Sequence, residues 1–200
     1  MKDKKIIIGV TGGLATGKTT VSDMISSKGA LKIDADQIAH ELLEEDNPIV
    51  ERVIELFSED ILTEGRIDRR KLAEKVFSDR ENLQKLSSVM HPGIIRRIKD
   101  KANDAQESVI VIDAPLLIEA KMHGYADIVV VVKCSDENQI KRAKGRGISR
   151  EEVKDIIDKQ MSLSKKEKFA DYIIDNDGEI EKIKEGVEEI WKNVQKKKKI

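Results

Sequence analysis

Apolar residues fall along this 200-residue chain in two alternating textures. Short, uninterrupted runs rich in β-branched residues recur at wide intervals: Lys5 to Thr11, Leu31 to Asp34, Ser108 to Asp113, Asp127 to Lys133 and Asp171 to Asp175. Between them the apolar positions take helical spacing. The fourth run, "DIVVVVK", is nearly pure valine, and unbroken runs of this kind suit parallel strands buried on both faces. Strands alternating with helices predict right-handed βαβ crossovers and a three-layer α/β fold with a parallel sheet. The pattern holds no internal repeat and no low-complexity linker, and the length suits one domain, 1–200, carrying insertions.

Two stretches exceed what single crossovers need. Residues 37–106 read as several helices, among them "IVERVIELF" and "RRKLAEKVF", and predict a helical insert. Residues 137–168 form a second polar, helical stretch, in which "QIKRAKGRG" places Arg142 and Arg146 one helical turn apart on one face. One insert would receive a second substrate, and the other would serve as a lid.

The first run ends in "GVTGGLATGKTT", which matches the phosphate-binding loop at Gly12, four residues, Gly17, Lys18 and Thr19. Glycines let successive N–H groups turn toward one anion, and the helix beginning near Lys18 adds the positive end of its dipole. The segment Gly12, Gly13, Leu14, Ala15, Thr16, Gly17, Lys18, Thr19 and Thr20 is therefore expected to bind the phosphates of a nucleotide. Lys18 would reach the β- and γ-phosphates, and the Thr19 hydroxyl would ligate Mg²⁺.

Further candidates lie at the ends of the other strands, where ligands collect in parallel α/β sheets. "IDADQIAHELL" sets Asp34 and Asp36 two residues apart, facing the same way if the strand continues. One carboxylate would orient Mg²⁺ through water and the other would accept a proton from an attacking hydroxyl; the competing reading makes Asp36 a helix cap. "VIVIDAPLLIEA" ends its strand at Asp113, a carboxylate suited to the Mg²⁺ shell, before Pro115 turns the chain off the sheet. Glu119 reads either as a cleft residue or as part of a surface helix. His91, next to Pro92, reads as the start of a helix or turn in the insert. With His40 and His123 it has no metal-ligand spacing.

Composition narrows the class. A net charge of −1, with 38% charged residues of both signs, argues against a general nucleic-acid or membrane surface. No apolar run reaches spanning length, and no leader pattern opens the chain. The single cysteine, Cys134, reads as a core residue, and the cysteine count suits a reducing cytoplasm. The Lys196 to Lys199 run reads as a solvated helix end.

In order along nearly the whole chain stand "GVTGGLATGKTT", "IDADQIAHELL", "GRIDRRKLAEKVF", "MHPGI", "VIDAPLLIEA", "QIKRAKGRG" and "ADYIIDNDG". With these signatures the sequence resembles the dephospho-CoA kinases, which complete coenzyme A biosynthesis. The resemblance implies a P-loop kinase core of five parallel strands, a helical CoA-binding insert and a mobile lid. It implies ATP-dependent phosphorylation of the ribose 3′-hydroxyl of dephospho-CoA, with Mg²⁺. Asp36 matches the family's proposed base, Arg142 and Arg146 match lid arginines near ATP, and Asn176 matches a position near the adenine end. Arg69 falls in an insert segment of the family, and Asp34, Arg69, His91 and Pro115 are the expected acceptor-binding residues. Arg96 and Arg97 are further candidates for the acceptor pyrophosphate, since guanidinium groups suit phosphate.

The sequence departs from the family at four points. Ala15 and Ser58 stand where glycine is usual, Thr19 where serine is commoner, and Ile156 where the lid often has arginine. The expected partners are ATP and dephospho-CoA, without nucleic acid or membrane, on a monomer or weak homo-oligomer. A nucleoside or nucleoside-monophosphate kinase shares core, insert and lid and is the nearest rival. A switch GTPase would need an Asn-Lys-x-Asp motif, which the chain lacks. A non-catalytic nucleotide-binding regulator is disfavoured by Lys18, Thr19, Asp36 and Asp113.

Overall fold

Seven residues of unbroken buried chain, Ile6–Gly12, form the central strand β1, and the rest of the sheet is built outward from it. The computed structural model describes residues 5–44, 46–77 and 79–198, so Lys199 of the basic run lies outside the described residues. The chain forms two compact units, one holding the chain up to Asp34 and from Asp104 onward, the other Ala35–Asn103.

In the first unit β1 is followed by α1 (Lys18–Ser26) and β2 (Leu31–Asp34). After the second unit come β5 (Val109–Asp113), β6 (Ile128–Lys133), α6 (Asp136–Lys144), α7 (Arg150–Lys159), α8 (Leu163–Lys166), β7 (Tyr172–Asp175) and α9 (Ile180–Lys197). The five strands of this unit are all parallel, in the order β2-β5-β1-β6-β7. Ile8 stands opposite Val111 on one side and Ile128 on the other. Chain order reverses at β1, and the crevice beyond the carboxyl ends of such strands is where ligands bind.

The uninterrupted apolar runs have the cause the sequence suggested. Ile8, Val10, Val111, Val130 and Val132 are wholly buried, packed with Val21 and Ile25 of α1 and with α9. Along α9 the buried residues Ile183, Val187, Ile190 and Val194 recur at helical spacing, so one stripe of that helix covers the sheet. The expected strands agree with the observed ones to within one residue at each end.

The second unit contains α2 (Ala35–Glu44), α3 (Pro48–Phe57), β3 (Leu62–Thr63), β4 (Arg66–Ile67), α4 (Arg69–Phe77) and all but the last residue of α5 (Arg80–Asp104). Asn47 caps α3 by accepting from the Ile49 N–H at 2.8 Å, with Pro48 in the first turn. The two-residue strands β3 and β4 are absent from the sequence reading. Their turn residues Glu64 and Gly65 both have positive φ, 53° and 75°, as a tight hairpin requires.

Two expectations fail here for backbone reasons. Strand β2 stops at Asp34 and α2 starts at Ala35, so the alternation that would aim Asp34 and Asp36 alike does not apply. Asp36 lies inside the first turn of α2, and so is not the residue capping it from outside. His91 begins no helix either: α5 runs 25 residues straight through Pro92. A proline forgoes one helical hydrogen bond without ending a helix otherwise held by packing. That packing is close at the next residue, where a Cβ on Gly93 would collide with Ile49.

The loop after β7 is fastened to the start of α6. The Asp177 carboxylate accepts from the Ser135 N–H at 2.8 Å, the Ser135 hydroxyl at 2.9 Å and Asn138 Nδ2 at 2.7 Å. Ser135 is itself the N-cap of α6. The bond from Asn138, then that from the Ser135 backbone, holds the Asp177 carboxyl below the ordinary carboxylate range. A depressed folded-state pKa contributes stability above the unfolded value and loses it as pH falls through the folded value. The urea midpoint of Asp177→Ala should therefore lie below that of the wild type at neutral pH. The gap should close as pH falls below about 4, the unfolded carboxylate range; a gap independent of pH would show that the charge plays no part.

Candidate active site

The segment from Gly12 to Lys18 wraps from the end of β1 into α1, and side chains within it and beyond it hold its carbonyls. Lys18 Nζ donates to Gly13 O at 2.9 Å, and the Thr16 hydroxyl donates to the same oxygen at 3.1 Å. Asn176 Nδ2 donates to Thr16 O at 2.7 Å. Gly12 permits the close approach of β1 to β6, because a Cβ there would collide with the Val132 carbonyl and lie 2.7 Å from Thr16 Oγ1.

Ala15 is in the left-handed region, with φ 54°. Ser58, in the second unit, has φ 63° and ψ 172°, a region nearly reserved for glycine. Both departures from the glycine expected by resemblance thus sit where glycine would be unstrained. Each side chain returns something. The Ala15 methyl is buried with Ala143 and Val153, and the Ser58 hydroxyl bonds Asp60 and Lys75 at 2.9 Å each.

Beside the loop lies a cavity of about 440 Å³, lined by Ala15, Gly17, Thr20, Arg142, Arg146 and Asn176, together with Gly145, Ile180 and Ile183. Arg142 Nη2 donates to Asn176 O at 2.7 Å, while Arg142 Nη1 is buried without a partner among the described residues. The two arginines do not share a helix face as the spacing suggested. Helix α6 ends at Lys144, and the chain closes through Gly147, φ 82°, with Gly147 N–H on Lys144 O and Ile148 N–H on Ala143 O. Arg146 stands in that closing turn, yet the cavity collects both residues. Ile180 and Ile183 were not among the sequence candidates; only the folded course of α9 brings these apolar walls to the cavity.

Asp113 ends β5 and is 4% exposed. It accepts from the Ser22 hydroxyl at 2.8 Å and has Lys32 Nζ 3.9 Å from the same oxygen. Asp34 is its register partner on β2. Thr19 lies exposed on the first turn of α1, one helical turn before Ser22. A hydroxyl and a carboxylate are hard oxygen donors of the type Mg²⁺ takes, the ion keeping waters and phosphates for its other positions.

Pro115, an expected acceptor contact, has its carbonyl engaged by the Thr11 hydroxyl at 3.0 Å and by Lys166 Nζ at 2.5 Å. Glu119 occupies no surface helix. It follows β5 in a series of turns and pairs with Lys166 at 3.1 Å. Ser22, Lys32 and Lys166 were not singled out by sequence, since nothing in their neighbours separates them from surface residues. Cys134 is buried, and burial pushes its thiol pKa up, which suits a core residue.

Asp36, Arg69 and His91 belong to the second unit: Asp36 exposed on α2, Arg69 exposed at the start of α4, His91 half-buried in α5. Arg96, also exposed, has its Nε 3.9 Å from Asp100. Arg97 lies in the field of Glu41, whose carboxyl is held low chiefly by its bond from Lys101.

The Ala15 geometry is open to test. Relief of left-handed strain would stabilise Ala15→Gly by about 1–2 kcal/mol. Loss of a buried methyl costs about 0.8 kcal/mol and added chain entropy about 0.5–1 kcal/mol. Denaturant unfolding should therefore place the variant within about 1 kcal/mol of the wild type, a balance of those terms. A gain above about 1 kcal/mol would mean that the methyl contributes nothing.

Comparison with known proteins bears on this geometry. A family model described as dephospho-CoA kinase matches residues 6–182. A dephospho-CoA kinase of Carboxydothermus hydrogenoformans is 44% identical, over 96% of this chain and 98% of the relative. Among solved structures, TT1252 from Thermus thermophilus superposes with a TM-score of 0.82 at 32% identity, covering 95% of this chain and 98% of that one. A dephospho-CoA kinase from Campylobacter jejuni gives a TM-score of 0.64 at 30% identity, over 95% of this chain and 97% of that one. With a parallel five-stranded sheet, a phosphate loop at its central strand and family similarity over nearly its whole length, the chain belongs to the dephospho-CoA kinase family.

Proposed function

We propose that this enzyme transfers the γ-phosphoryl group of ATP to the ribose 3′-hydroxyl of dephospho-CoA, giving coenzyme A and ADP. The observation that carries the placement of ATP is the cavity of about 440 Å³ opening directly from Gly17 and Thr20 of the phosphate loop. A nucleoside fits in that cavity with its phosphates over the loop. Arg142 and Arg146 supply cations at the same cavity, and the unpartnered Nη1 of Arg142 is a donor suited to an anionic or carbonyl ligand. Arginine spreads charge over a planar fork, which suits both phosphate and the face of a base.

Lys18 is the charge for the transferring group. Its ammonium rests on Gly13 O, within the loop that would surround the phosphates. Thr19 and Asp113 would hold Mg²⁺, which neutralises charge on the phosphate oxygens when bound. Ser22 orients the Asp113 carboxylate by donating to it at 2.8 Å. We assign Asp36 to the acceptor, as the group that receives or orients the proton of the 3′-hydroxyl, and Arg69 and His91 to acceptor binding in the second unit. A secondary hydroxyl is a poor nucleophile at neutral pH until a base takes its proton in the transition state. A cytoplasmic location accords with one buried, unpaired cysteine.

A coupled assay of ADP release with dephospho-CoA, adenosine, AMP and pantetheine tests the substrate. Turnover should require dephospho-CoA, and turnover only with a nucleoside or monophosphate would replace this reading by its nearest rival. In the same assay Asp36→Asn should lower kcat by roughly 10²-fold, the scale of a positioned base, while ATP binding persists. A near-normal kcat would leave Asp36 a residue of the helix start only and make Asp34 the candidate.

A further inference from the structure

Lys166 is wholly buried, at 0% exposure, in the four-residue helix α8. Its ammonium lies 3.1 Å from Glu119 Oε1, 2.5 Å from Pro115 O and 3.4 Å from Gly12 O. These partners belong to two separate segments, the turn after β5 and the end of β1. Glu119 Oε1 also accepts from the Met161 N–H at 3.0 Å, two residues beyond α7. Burial lowers the pKa of this lysine and the Glu119 charge raises it again.

Removing an ammonium from water is costly, and a buried ion pair is a poor way to gain stability compared with apolar side chains of similar volume. A lysine at such a position is therefore explained better by what it orients than by what it stabilises. Gly12 is the first glycine of the phosphate loop. In a planar trans peptide the carbonyl and the following N–H point in opposite directions. A Gly12 carbonyl drawn toward Lys166 therefore turns the Gly13 N–H to the opposite side of the loop. Asn176 does the same one turn later, drawing Thr16 O and turning the Gly17 N–H away.

We propose that Lys166, neutralised by Glu119, is a positioning residue for phosphoryl transfer, fixing the Gly12–Gly13 peptide plane so that the Gly13 N–H is directed at the nucleotide phosphates. The inference rests on ATP binding at this loop. Preorganised donors need no reorientation when charge develops, which is the source of their effect on rate. Lys166 touches backbone carbonyls and Glu119, and acts on the reaction through the loop. Its contact with Pro115 O fixes the chain leaving Asp113 by the same cation.

Two variants separate positioning from folding. Lys166→Met keeps length and removes the charge, but leaves the half-buried Glu119 without its counter-ion and should lower the melting temperature. The double variant Lys166→Met with Glu119→Gln removes both charges and should recover most of that temperature. In both, kcat/KM for ATP should fall roughly 10- to 100-fold, up to the cost of a 1 Å misplacement at a reacting centre. ADP affinity by calorimetry should fall with it, while KM for dephospho-CoA stays unchanged. A double variant with wild-type melting, ADP affinity and kcat would overturn the proposal and leave the pair a structural device. Lys18→Met, measured alongside, tests the premise separately. If Lys18→Met is inactive and the double variant normal, only the role of Lys166 fails; if Lys18→Met is normal, the placement of ATP fails.

Discussion

A peptide plane can offer its N–H to a ligand only if its carbonyl is satisfied on the other side. The phosphate loop faces this constraint several times in succession, in a segment with few side chains long enough to supply the partners. Some come from within the loop and others from elsewhere. Gly13 O takes Lys18 and Thr16 from within the loop, Thr16 O takes Asn176, and Gly12 O takes Lys166. Two of the four donors, Lys166 and Asn176, stand 154 and 160 residues away along the chain. A buried carbonyl left unsatisfied costs about 1–3 kcal/mol, so the loop's conformation depends on the C-terminal third being folded against it.

The sheet makes that dependence possible. With β1 at the centre and β6 and β7 on one side, the carboxyl ends of β1, β5, β6 and β7 all open on the same edge. The loop after β7 brings Asn176 to Thr16, and the turn after β5 brings Pro115 to Thr11. Uninterrupted apolar strands are needed because helices cover both faces, and this leaves polar chemistry only at strand ends. Thr11, Asp113 and Asn176 are polar residues buried at those ends.

What was legible in the sequence follows the same division. Strands were readable because burial on both faces writes itself as unbroken β-branched runs, and the phosphate loop because glycine spacing reflects backbone geometry directly. Elements stabilised by contacts distant in sequence were not readable. The hairpin β3–β4 has two residues per strand, too few for alternation, and a Glu-Gly turn in place of the stronger Asn-Gly signal. Pro92 looked like a boundary because local preference argues so, but α5 continues through it. Arg146 looked helical because the four-residue spacing says nothing of the glycine that ends the helix first. Lys166 was invisible within "SLSKKEKF": its neighbours Lys165 and Lys168 are exposed, and only the folded chain separates one lysine from the others. The departures at Ala15 and Ser58 were legible as missing glycines, although their positive φ required the backbone.

Asn176 joins the cavity to the phosphate loop. It lines the cavity beside the loop, accepts Arg142 through its carbonyl, and donates through its side chain to Thr16 O. A ligand that moves Arg142 therefore acts on the group that holds Thr16 O in the loop, through two consecutive hydrogen bonds. Bonds to charged groups are worth about 1.5–3 kcal/mol and neutral ones about 1 kcal/mol. Coupling energies between sites generally fall in the same range, about 1–3 kcal/mol, or 5- to 150-fold in affinity. Such coupling is reciprocal: whatever effect a ligand at Arg142 has on binding at the phosphate loop, occupation of the loop has equally on binding at Arg142. The remaining donor, Lys166, is linked through Glu119 to Met161, two residues beyond α7. Two routes thus lead to the loop, one from Arg142 through Asn176 and one from Met161 through Glu119 and Lys166, and the loop is braced at both its first and its last turn.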